Sequence, residues 1–138
     1  MNNMDWKFVN KDVSMKDIKD IESALDIKLP KDYIDCVMVN NAGYPDKFNF
    51  DMEKEKGKVF EYLLGISKDD DDNIIDVYLE CKNDLPNRVI PFARDPFGNF
   101  ICFKYSDLDD CEVVFYNHEN QGIYFISNSF SEFINKLY

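Results

Sequence analysis

The densest run of possible ligands is Asp69-Asp70-Asp71-Asp72-Asn73, in which Asp69, Asp71, Asn73 and Glu80 fall at the first, third, fifth and twelfth places of a calcium-binding EF-hand loop. Such a loop needs a sharp turn at its sixth place, which glycine supplies; Ile74 stands there, and helical periodicity begins with it. The run therefore reads as a solvated helix start, with carboxylates placed at the positive end of the helix dipole. Cys36, Cys81, Cys102 and Cys111 are too widely spaced for a Cys-x-x-Cys pair, and the single histidine, His118, leaves little for a structural zinc site. No metal or other cofactor is expected. Cys111 with His118 offers a nucleophile and a base, and Asp109 with Asp110 a carboxylate pair. A buried thiol beside an unrelated imidazole, and two solvated acids, account for both. The chain's five glycines form no nucleophile elbow, phosphate-cradling loop or dinucleotide fingerprint. The reading is a protein that binds rather than catalyses.

The charge says what it would bind. Asp and Glu number 27 against 16 Lys and Arg, a formal charge of -11, so nucleic acid and anionic lipid surfaces are repelled and basic partners are drawn in. Hydrophobic residues at 45% and aromatics at 15% exclude a disordered chain. No window approaches the ~20 apolar residues of a membrane span, and Met1-Asn2-Asn3-Met4-Asp5 lacks the basic and apolar pattern of a signal peptide, so the expected location is the cytoplasm. A core this rich in Phe, Ile and Leu needs no disulfide staple; the four cysteines are expected as free, buried thiols.

These residues need a scaffold, and the chain of 138 residues, with no repeat or linker, is expected to form one domain over 1–138. Ser14 followed by Ile18, Ile21 and Leu25 predicts an amphipathic helix over 14–26. Pro30, with Tyr33, Ile34, Val37 and Met38 behind it, predicts a second, closed by the left-handed tolerance of Asn40, Asn41 and Gly43. Residues 47–52 alternate apolar with polar and predict a strand paired with another over 59–64. A third helix is expected over about 72–82, then strands at 89–93, 100–105, 112–117 and 123–126. Ser129-Phe130-Ser131-Glu132 has the pattern of a capping box before a last helix carrying Phe133, Ile134 and Leu137. Helices, then strands joined by short turns, then a closing helix predict an α+β fold: an antiparallel sheet with helices packed on one face.

The same residues, in order, resemble the SMI1/KNR4 family, also called the SUKH superfamily, over nearly the whole chain. The resemblance runs through Trp6, Ile21-Glu22 and Leu25, Leu29-Pro30-Lys31-Asp32-Tyr33, Asn41-Ala42-Gly43, Ile90-Pro91-Phe92-Ala93, Asp95 with Gly98-Asn99, residues 113–119, and Ser129-Phe130 with Phe133. Two positions depart from it: Lys104 and Asn117 stand where the family often carries acids. The resemblance implies a non-catalytic immunity protein of the bacterial type, which binds and neutralises a cognate toxin, frequently a nuclease. Its fungal members imply an alternative, a regulatory or scaffold module in cell-wall signalling.

A nuclease must attract a polyanion, so a domain of charge -11 is suited to its basic face. The partner-binding residues expected on that basis are exposed acids and aromatics: Asp69, Asp70, Asp71, Asp72, Asp95, Asp107, Asp109, Asp110, Glu112, Tyr116 and Glu119. Trp6, Pro30, Gly43 and the Gly98-Asn99 turn are expected to hold the fold.

Overall fold

A computed structural model describes residues 4–107 and 110–138. Among them are four helices and nine strands. Helix α1 (Met15–Leu25) starts at a capping box in which Ser14 and Asp17 satisfy each other's backbone N–H, and it stops at Asp26 in the left-handed conformation, φ 54°. It buries Ile18 and Ile21. Helix α2 (Lys31–Val37) follows Pro30, whose ring fixes φ at -63° for the entry, and it buries Tyr33 and Val37. Its end comes earlier than the sequence suggested. The left-handed residue is Ala42, φ 59°, rather than Gly43. Gly43 is needed for space instead, since a β-carbon there would lie 3.0 Å from the carbonyl oxygen of Asn40.

Three sheets follow. β1 (Trp6–Lys7) pairs with β2 (Tyr44–Pro45), and β3 (Asn49–Phe50) pairs antiparallel with β4 (Lys58–Val59), the hairpin expected from the alternation. The run 59–64 is divided between two sheets: β4 ends at Val59, and β5 (Tyr62–Leu63) pairs with the main sheet. Phe60, Leu63 and Leu64 are all fully buried, a pattern that straight alternation cannot satisfy, and the chain changes sheet partner between Phe60 and Glu61. The main sheet is antiparallel in the order β5, β6 (Val89–Arg94), β7 (Phe100–Tyr105), β8 (Cys111–Asn117), β9 (Gly122–Ser127). A bulge between Pro91 and Ala93 lets Phe92 and Ala93 both enter the core, and Pro91 sits where a missing N–H is tolerated.

Helix α3 (Ile74–Cys81) is capped by Asn73, whose side chain accepts from the Asp76 N–H at 2.9 Å. Helix α4 (Phe130–Lys136) is capped by Ser129, which accepts from the Glu132 N–H at 3.1 Å. All four helices contribute to one large cluster, whose centre is aromatic: Phe92 stacks on Phe103 at 4.2 Å, Tyr33 meets both edge-on, and Phe133 lies against Phe50, Phe60 and Phe92. This is the α+β fold expected. The sheet's other face is not bare. Leu85, Val89, Cys102, Val114 and Tyr116 form a smaller cluster there, against which Tyr78 and Cys81 of α3 pack.

Candidate partner-docking surface

The expected contact residues do not form one surface. Asp95 and Tyr116, expected to be exposed, are 2% and 3% accessible. Asp95 shapes the β6–β7 turn: its carboxylate accepts from the N–H groups of Phe97 and Asn99 at 2.8 Å each and from the Asn99 side chain at 2.9 Å. That turn also requires Gly98, at φ 88°, where a β-carbon would approach the His118 ring to 3.2 Å. Tyr116 pairs with Phe100 across the strands and belongs to the smaller cluster. Both residues are therefore structural, because an aspartate that closes a turn and a tyrosine on a covered sheet face have no surface to offer.

The acidic run 69–72 divides by alternate residues. Asp69 and Asp71 are exposed. The Asp70 carboxylate instead accepts from Asn10 Nδ2 at 2.9 Å, Asn41 Nδ2 at 2.8 Å and the Ser67 N–H at 3.1 Å. Asn41, fully buried, passes the connection on through its Oδ1, which accepts from the Ile66 N–H at 2.8 Å. Gly65 must be glycine for this network, since a β-carbon there would lie 2.4 Å from that of Asp70. Asp72 holds Arg94 in a two-point ion pair, 2.7 Å to Nε and 3.0 Å to the terminal nitrogen, and accepts from the Tyr62 hydroxyl at 2.5 Å. Burial alone would lower the Arg94 guanidinium, but the bond to Asp72 carries it above its ordinary value. Burial and the same carboxylate push the Tyr62 phenol up.

The remaining acids lie at opposite ends of the sheet. Asp107 and Asp110 are exposed on the β7–β8 hairpin, where the Ser106 N–H donates to the Asp110 carbonyl at 2.7 Å. Glu112, half-buried, lies 4.0 Å from Lys104 across the strands. A shallow cleft of ≈ 350 Å³ is lined by Lys104, Ser106, Asp110 and Glu112 with Cys111 and Asn128. Asp109 falls outside the described residues. Glu119 is exposed in the β8–β9 turn, at the end of the sheet that carries Asp95, and its N–H donates to Asn117 Oδ1 at 2.9 Å. The two departures from the family pattern thus have local roles, Lys104 opposite Glu112 and Asn117 closing a turn.

Cys111 and His118 flank opposite ends of β8, about 24 Å apart at ~3.4 Å per residue, so they make no dyad. His118 Nε2 lies 3.0 Å from the Phe97 carbonyl, binding one turn to the next. Of the cysteines, which carry no disulfide, Cys102 is buried, as expected, but Cys36, Cys81 and Cys111 are half-buried at the margins of the core. Burial raises all three of these thiols to about 11. Among the described residues no group of three or more His, Cys, Asp or Glu side chains is placed to hold a metal ion. No helix of the described residues is long and apolar enough to cross a membrane.

Sequence reasoning overlooked several exposed aromatics. Phe8 is 79% accessible and Phe97 70%, while Tyr124 and Phe125 are presented on β9, at the edge of the main sheet. A cleft of ≈ 800 Å³ separates β9 from residues 51–56, and its rim carries acids and lysines in equal number, giving it no net sign.

The SMI1 / KNR4 family (SUKH-1) matches the chain over residues 12–136, from just before α1 to the end of α4. The chain belongs to that family. No curated protein matches it. The SUKH-1 match includes the 69–72 loop, the β7–β8 hairpin and all five strands of the main sheet. β1 and Phe8 precede it.

Proposed function

We propose that this protein is an immunity protein, which binds and neutralises a cognate toxin by protein–protein contact and without catalysis of its own. The toxin class that fits best is a nuclease with a basic face. The observation that carries the reading is the charge of -11 on a SUKH-1 chain. A nuclease active site must attract a polyanion, and an acidic domain is steered onto such a site by the same field. The exposed acids supply the means: Asp69 and Asp71 beside α3, and Asp107 and Asp110 at the β7–β8 hairpin, with half-buried Glu112 next to them. The expected home of such a protein is the cytoplasm, where a nuclease would find its substrate.

Co-expression tests the reading. Where the gene immediately upstream encodes a toxin-like protein, cells producing that protein should survive when this chain is present and die when it is absent. Changing Asp107 and Asp110 to Lys should weaken survival while leaving the melting temperature almost unchanged, because exposed charges contribute little to stability. Death of cells despite abundant folded protein would reject the immunity reading. Full protection by the charge-reversed protein would remove the hairpin from the interface.

A further inference from the structure

Three aromatic rings from separate parts of the chain meet on the surface beside the acidic loop. Phe8, directly after β1, sets its ring edge-on to Tyr44 of β2 at 5.5 Å, and Tyr44 lies 4.9 Å from Tyr62 of β5. The Tyr62 hydroxyl then joins Asp72 and Arg94. Phe8 contributes little to the core at 79% exposure, yet its backbone is held at φ 57°, a region that disfavours any residue with a β-carbon. The chain thus keeps a strained position in order to present an aromatic ring.

The surroundings are acidic. Asp46, exposed, accepts from the Asp5 N–H at 3.1 Å at one end of the ridge, and Asn10 is bonded to Asp70 at the other, bringing the loop with exposed Asp69 and Asp71 alongside. Lys7, Lys11, Lys47 and Lys68 are exposed cations of these same segments, set against exposed Asp5, Asp12, Asp46, Asp69 and Asp71 with half-buried Asp70, and the charge of Arg94 is engaged by Asp72, so the balance stays modestly negative. An exposed ring set against two half-buried ones, within a net negative field, recognises a cation with a flat apolar face, which describes the arginine guanidinium. A phosphate or an acidic segment would be repelled, and a second copy would bring a charge of -11 to a charge of -11.

We infer that Phe8, Tyr44 and Tyr62, flanked by Asp46 and Asp71, form the docking site for an arginine-bearing segment of a basic partner protein. This deepens the reading of a toxin-binding chain by naming where and through which side chain the partner is held.

Trp6, the only tryptophan, stands two residues before Phe8 and reports on the ridge by its fluorescence. The probe is a ten-residue peptide alternating Arg and Gly. Titration should change Trp6 emission saturably, and amide NMR shifts should cluster at residues 6–10, 44, 62 and 69–72. Phe8→Gly should weaken binding at least fivefold without lowering the melting temperature, since glycine adopts the left-handed conformation without strain. Phe97→Ala, which removes another exposed aromatic, should bind as wild type does. If Phe8→Gly binds like wild type, if Phe8→Leu retains full affinity, or if the shifts map to the β7–β8 hairpin, the inference is wrong. No toxin enters this titration. Failure of the peptide with neutralisation intact therefore relocates the docking site, whereas failure of neutralisation with the peptide bound rejects only the immunity reading.

Discussion

Removing the charge of Asp72 should cost far more than removing that of its neighbour Asp71, although both belong to one run of four acids. Asp72 and Arg94 have side chains 32% and 26% accessible, between the buried and exposed limits. Breaking a fully buried pair costs ~3–5 kcal/mol and an exposed one ~0–1, so Asp72→Asn at this intermediate depth should cost about 2 kcal/mol. Part of that arises because the Tyr62 hydroxyl loses a charged acceptor. With an unfolding entropy of ~2.1 cal/mol/K per residue over 138 residues, the melting temperature should fall by roughly 7 °C. Asp71→Asn, at an exposed position, should shift stability by no more than ~0.5 kcal/mol in either direction. Thermal melts followed by circular dichroism, with urea titrations of both variants, measure the difference. Equal shifts for the two variants would refute the division of the run into structural and solvent-facing acids.

Phe133→Ala should cost ~3–5 kcal/mol in urea denaturation, because the ring is fully buried against Phe50, Phe60 and Phe92; a loss below ~1 kcal/mol would mean that α4 is not docked as described. Stability should also fall in alkali. The folded protein holds the thiols of Cys36, Cys81 and Cys111 at about 11 against an ordinary 9.0, so their contribution is complete below about pH 9 and is lost as pH rises towards 11. The urea midpoint should therefore drop between pH 8 and 10.5, and a midpoint that rose would contradict this assignment.

The elements with strong local signals were legible in the sequence. Ser14 and Ser129 act as the caps expected, and the strand over 100–105 coincides with β7. Less legible were places where tertiary packing overrode a continuous run. Residues 59–64 are β-compatible throughout, but with Phe60, Leu63 and Leu64 all buried the run passes from one sheet to the other at residues 60–61. Asp95 and Tyr116 looked available for contact because an acid and a tyrosine are ordinarily found at surfaces. Their burial depends on a turn and a cross-strand pair that no spacing announces. Phe8 was overlooked for the opposite reason, since an isolated phenylalanine reads as core.

The proposed docking of this chain to a basic toxin is driven by charge. Stopped-flow association of this chain with the purified toxin domain, at salt from ~0.01 to 0.5 M, tests it most directly, because the Debye length shrinks from ~30 Å to a few Å across that range. The association rate should fall by at least tenfold while the dissociation rate changes less than threefold. An association rate indifferent to salt would contradict the account, whatever the affinity.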